Sequence, residues 1–304
     1  MRSSTLAGAF LAVSAAFVWA TYYVFVAYGR SIDAAALFFY PSLFGSLFFI
    51  AHGALNGRSF PLPSKRRDYL LPAAGYISSQ LLIIYSILLN GGVVTSIFIL
   101  VGDTILSPTI IFASGRNRFR PRLPLLAGGV AVLVSSAAVL TILGGRITST
   151  SDEGILLLIL IPPALSLFFV YTNERIMADG MSRILGPTFL VSAAFTALYA
   201  VAAGTPAILY PHSPQDLLLL LVIGLTSMYA GYLLFFRASR SAGFTLTSIL
   251  MALIPPFTLV LEVIFLGFEA TPLAALLIAL AAFGAVLCTL AYSEEPLMRG
   301  GSAK

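Results

Sequence analysis

The sequence predicts an all-α membrane protein, with ten transmembrane helices arranged as two inverted five-helix repeats. Three observations predict it. The composition is too apolar for water, the apolar residues fall into ten runs of membrane-spanning length, and the basic residues alternate from side to side of those runs.

The chain has 304 residues, of which 59% are hydrophobic and 10% charged, with a mean hydropathy of +0.98. Soluble domains carry about 25% charged residues. These figures exclude an ordinary cytoplasmic enzyme, a nucleic-acid-binding domain, a disordered protein and a secreted disulfide scaffold. Cys288 is the single cysteine, so no intramolecular disulfide can form. With two histidines and one cysteine, a Cys/His metal site is not expected, and no cofactor is implied.

A hydrocarbon core of about 30 Å needs roughly 20 helical residues. Runs of that length lie at 5–28, 33–53, 68–89, 92–114, 121–143, 153–173, 184–203, 214–236, 243–267 and 271–293. They are continuously apolar rather than alternating, and too long for barrel strands. Connections are short and leave no room for an extramembranous domain. The Lys and Arg residues then sort by side. Arg2, Arg58, Lys65, Arg66, Arg67, Arg116, Arg118, Arg120, Arg122, Arg175, Arg183, Arg237, Arg240, Arg299 and Lys304 fall on one side, and only Arg30 and Arg146 on the other. Basic residues stay on the cytoplasmic side, so both termini are expected in the cytoplasm of a multi-pass protein of the cytoplasmic membrane. The net charge of +5 reads as a topology signal that meets anionic lipid, not as a nucleic-acid footprint.

Ten spans divide into two halves, 1–147 and 148–304, and an odd number per half inverts the second. Traces of duplication run in matching order. Thr95-Ser96-Ile97 opens span four after Gly91-Gly92, and Thr247-Ser248-Ile249 opens span nine after Gly243. Tyr40-Pro41-Ser42 in span two matches Gly186-Pro187-Thr188 in span seven, and Ser46 matches Ser192. Pro124 and Pro272 each start the last span of a half, where proline is tolerated. Inverted repeats give two states of similar energy, one open to each side, around a site near the midplane. That pattern points to alternating-access transport.

The second half carries Ser248-Ile249-Leu250 through Ile254-Pro255-Pro256, then Leu266-Gly267-Phe268-Glu269, before a last span rich in small residues. With Trp19 in span one, this layout resembles the drug/metabolite transporter superfamily in its ten-span form with two EamA-like repeats. The ending here is LGFE, one residue longer than the family's LGE. Span two has Tyr40-Pro41 where many members carry Arg before Phe, and span four has Gly102-Asp103 in place of a proline step. The resemblance implies transport of small metabolites, often export of amino acids or related compounds. It also implies that spans one to four and six to nine line the cavity. Spans five and ten, with Ala127, Ala131, Ala275 and Ala279, would pack outside or at a dimer contact.

Asp103 lies mid-span, where an ionised carboxylate costs several kcal/mol unless paired, hydrated or protonated. Three readings stay open: a proton carrier, a counter-ion for a cationic or zwitterionic substrate, or a structural carboxylate bonded to hydroxyls such as Thr104 or Ser107. Glu262, in the outer part of span nine, reads as structural or gating more than as substrate contact. No Lys or Arg lies deep in any span. The expected partners of these acids are therefore hydroxyls, waters, protons or substrate.

Aromatic and amide groups supply the rest of the expected substrate site. Trp19 and Tyr22 share a helical face, with Tyr23 at +4. Tyr40 lies in span two, Tyr76 and Gln80 share a face in span three, and Tyr229 and Tyr232 share one in span eight. Tyrosines around a carboxylate suit aromatic or cationic substrates, although any one of them can equally be packing. His52 and His212 sit at span ends and are assigned to no site. Bends at Pro41, Pro108 and Pro255-Pro256 are candidate gating hinges, and Pro162-Pro163 has no counterpart in span one.

No nucleotide-binding loop, HExxH or G-x-S-x-G is present, so an enzyme is not expected. No span is polar enough to line a channel. The expected partners are a small-molecule substrate, membrane lipid and protons, with no nucleic acid, in a monomer or homodimer.

Overall fold

The computed structural model describes residues 3–56, 67–101 and 152–269, with 271–273, 275, 276, 279, 280 and 283 beyond them. The described residues form helices and no strand. In chain order these are α1 (Ser3–Tyr28), α2 (Ala34–Leu55), α3 (Arg67–Asn90), α4 (Gly92–Val101), α5 (Asp152–Asp179), α6 (Met181–Ala202), α7 (Pro214–Ala242), α8 (Phe244–Leu250) and α9 (Ile254–Leu266). Among the described residues, seven stretches are long and apolar enough to cross a membrane: α1, α2, α3, α5, α6, α7, and Leu246–Leu266, which joins α8 and α9 through the tight turn Met251–Leu253. Their outward faces carry large apolar side chains such as Phe10, Leu198 and Phe265. A surface of that kind is sustained by lipid, not by water. Of the expected spans, 92–114 is described only to Val101, 121–143 lies outside the described residues, and 271–293 is described only in part.

The connections are tighter than the sequence suggests. Gly91, Gly180 and Gly243 each turn the chain alone, with φ of 85°, 92° and 91°, a conformation open to glycine at little cost. Span six therefore runs on to Asp179 and span seven starts at Met181. Arg175 and Arg183, expected in a loop, sit on helix ends, where long side chains carry their charge out of the apolar layer. The segments expected to be equivalent share their local geometry. Thr95 donates its hydroxyl to the Gly91 carbonyl at 2.8 Å, and Thr247 to the Gly243 carbonyl at 2.9 Å.

Packing joins the two parts of the chain. α2 lies along α6, α3 along α5 and α6, and α4 against α9 and α5. α1 packs against α9 and the C-terminal part of α7. Close approach is set by small residues. A Cβ on Gly45 would lie 2.7 Å from the Met228 Cβ, and one on Gly8 2.6 Å from the Ala242 Cβ.

One end of the bundle is basic. There Asp68 at the start of α3 pairs with Arg175 of α5 at 3.1 Å, Arg175 also lies over the Tyr171 ring, and Arg240 of α7 donates to the Ile176 carbonyl at 2.9 Å. Gly53 meets Ser182 there, next to Arg183. Arg30 lies at the opposite end, where Gly29 meets Leu219 near the start of α7.

The sequence reading took span eight as an ordinary helix. Within α7, Gly224–Gly231 is π-helical. Such winding strands backbone carbonyls that side chains must then satisfy. Thr226 donates to the Val222 carbonyl at 2.7 Å, and Trp19 of α1 donates its indole N–H to the Ser227 carbonyl at 3.1 Å.

Candidate functional site

The π-helical stretch faces a buried cavity of about 30 Å³ between helices of both parts of the chain. α1 contributes Trp19, Tyr22 and Tyr23; α3, Gln80 and Ile83; α4, Ile99; α5, Leu165 and Phe169; α7, Met228 and Tyr232; and α9, Ile254. The volume holds one or two waters. It is far below the ~300 Å³ or more of a typical ligand pocket, so the cavity has no room for a substrate in this conformation.

The walls are mostly aromatic. Trp19 packs edge-on to Tyr232, with centroids 5.2 Å apart, and 5.6 Å from Phe169. Its indole lies where a side chain at Gly231 would be, so glycine is required there. Two buried polar atoms on the wall have no partner among the described residues: the Tyr22 hydroxyl and Gln80 Oε1. The Gln80 amide nitrogen makes only a long contact of 3.4 Å with the Tyr232 hydroxyl. An unsatisfied buried polar atom costs about 1–3 kcal/mol, and two facing one cavity create demand for a hydrogen-bonding occupant.

Tyr76 stands behind this wall. Its hydroxyl donates to the Met228 sulfur at 2.8 Å, which leaves its lone pairs for the Ser42 hydroxyl at 3.2 Å. Tyr76 thus holds the wall and is itself satisfied. Trp19, Tyr22, Gln80 and Tyr232, expected from sequence, come together on the cavity, with Tyr76 one layer out.

Tyr40 and Tyr229 lie elsewhere. The Tyr40 ring rests on Phe39 and Phe44. Tyr229 bonds His52 Nδ1 at 2.8 Å and packs on Phe49. The expectation that Tyr229 shares a face with Tyr232 assumed 3.6 residues per turn, and the wider π winding rotates the two apart. His52, assigned to no site from sequence, thereby joins α2 to α7 near the basic end.

Asp103 and Pro108 lie outside the described residues. Glu262 is buried near the end of α9, and its carboxylate accepts from the backbone N–H groups of Gly92 and Val93 at the start of α4. Backbone amides were not among the partners expected for it. Pro41 is buried within α2, and Pro255 and Pro256 form the first turn of α9, where proline needs no N–H partner. Of the residues that sequence reasoning did not select, Tyr23 carried a signal in its spacing from Trp19. Ile83, Ile99, Leu165, Phe169, Met228 and Ile254 carried none, because apolar side chains face lipid and cavity alike.

The class is now defined: a helical, multi-pass membrane protein with a small cavity where the two parts of the chain meet. Residues 152–290 match the EamA-like transporter family. That segment is similar to this family, which is part of the drug/metabolite transporter superfamily. A solved structure described only as "Crystal structure of protein" is similar to it with a TM-score of 0.73 at 16% identity, covering 96% of this chain and all of its own. That likeness shows a shared fold. No curated protein matches the chain.

Proposed function

We propose that the protein is a secondary transporter that works by alternating access, its ten spans forming two inverted repeats, 1–147 and 148–304. It moves a small amino acid or amine-containing metabolite out across the cytoplasmic membrane, with both termini in the cytoplasm. One observation carries this reading: the small cavity between the two parts of the chain, walled by aromatic rings and holding two polar atoms, Tyr22 Oη and Gln80 Oε1, that have no partner among the described residues. The family match supports the transporter class, and the shared turn at Gly91–Thr95 and Gly243–Thr247 supports the repeat.

The rings of Trp19, Tyr22 and Tyr232 suit an ammonium group through cation–π attraction, worth about 0.5–2 kcal/mol. Asp103 stands four residues after the cavity-lining Ile99 in the sequence, a spacing of about one helical turn. It is the proposed counter-ion. The test is a thermal-stability screen of wild type and Asp103→Asn against amino acids, amines, quaternary ammonium compounds, nucleosides, nucleotide sugars and organic acids. A ligand at 100 times its Kd adds roughly 2.7 kcal/mol. Stabilisation of wild type by an amine or zwitterion, lost in Asp103→Asn, is the expected result. Stabilisation by organic anions or nucleotide sugars alone, indifferent to the substitution, overturns the substrate class.

A further inference from the structure

Glu262 joins the end of α9 to the start of α4. α4 begins at Gly92, directly after the turn at Gly91. The first N–H groups of a helix have no partner within it. The Thr95 amide reaches the Gly91 carbonyl at 3.2 Å, while the Gly92 and Val93 amides reach across to the Glu262 carboxylate of α9. A carboxyl oxygen is an acceptor suited to such amides, and the positive end of the helix favours it there.

The approach is close. A Cβ at Gly92 would overlap Glu262 Oε1 and would lie 2.9 Å from the Tyr23 Cβ on α1. Tyr23 lines the cavity, and so do Ile99 of α4 and Ile254 of α9. The carboxylate therefore ties together, at the end away from the basic cluster, three helices that wall the cavity. The tie is one-sided. The register shift that matches Thr95 to Thr247 puts Ile110, not an acid, opposite Glu262. The basic end is instead joined by Asp68–Arg175 and His52–Tyr229.

We propose that Glu262 is a positioning residue whose carboxylate latches α4 to α9 and shuts the cavity toward the end opposite the basic cluster. This rests on the transporter reading above. Loss of the latch opens that path, and an opening there is what a plain helix cap would not control.

The experiment uses full-length protein in sided membrane vesicles. The native cysteine is replaced by Cys288→Ser, and Ile99→Cys reports access to the cavity by its labelling with a membrane-impermeant maleimide. Glu262→Ala is expected to raise the labelling rate at least tenfold from the side where α4 begins and to leave it unchanged from the basic side. Glu262→Gln, which keeps an oxygen acceptor without the charge, gives a smaller rise and covers the case in which Glu262→Ala does not fold. Amide exchange at Gly92 and Val93 is read in parallel. Faster exchange with unchanged labelling makes Glu262 a structural cap and overturns the proposal, as does a rise from both sides. Protection of Ile99→Cys by a stabilising ligand is scored separately. If no ligand protects it while Glu262→Ala still opens the path, the substrate site fails and the latch stands.

Discussion

At the scale of single residues, the cavity and its support predict substitutions of opposite sign. The Tyr22 hydroxyl is buried with no partner among the described residues. Tyr22→Phe removes an unsatisfied group and is expected to stabilise the ligand-free protein by up to ~1 kcal/mol, while reducing stabilisation by any ligand that the hydroxyl contacts. Tyr76→Phe removes bonds to Met228 and Ser42 and is expected to destabilise by about 1–2 kcal/mol. Melting of both variants in detergent, with and without a ligand from the screen, checks the contrast. Equal signs in the ligand-free proteins would mean that the hydroxyls are in equivalent surroundings. The polar residues of this site were legible in the sequence because a tyrosine or glutamine at membrane depth needs a partner wherever it points. Phe169 and Met228 were not, since protein and lipid reward an apolar side chain equally.

At the scale of elements, the glycine turns were legible and the π-helical stretch was not. Gly91 and Gly243 stand between apolar runs and precede the same Thr-Ser-Ile triplet, which reads directly as a turn and a helix start. Nothing in Gly224–Gly231 marks its winding, and the bond that meets the widened turn comes from Trp19, more than 200 positions away in the chain. Trp19→Phe keeps an aromatic ring, smaller than the indole, and deletes that bond. It is expected to cost about 1 kcal/mol and to speed amide exchange between Ser227 and Tyr232, while residues 214–222 stay protected. Uniform exchange along α7 would mean that the winding does not depend on Trp19. Gly231→Ala drives a methyl into the indole and is expected to cost about 1–3 kcal/mol, with loss of ligand stabilisation, because the displaced ring moves into the cavity.

At the scale of the whole molecule, the apolar runs and the alternation of charge were legible, whereas the pairing of helices was not. That α2 lies along α6 and α3 along α5 follows from small residues and shape, which leave no period or charge to read. Orientation is the property that the charge pattern predicts most directly. Arg175, Arg183 and Arg240 converge on one end through contacts that span five helices, and the loop after α6, with His212, belongs to the other. In a Cys288→Ser background, His212→Cys is expected to react with an impermeant maleimide on intact cells, whereas Asp179→Cys, beside the Gly180 turn, reacts only after lysis. Both positions are exposed in the fold, so a difference between them reports the membrane and not burial. The reverse pattern would set the basic end outside, against the cost of moving its arginines across the hydrocarbon layer. It would also turn the Glu262 latch into an inner gate and undo the export direction. The same pair of cysteines thus decides which side of the membrane the latched end faces.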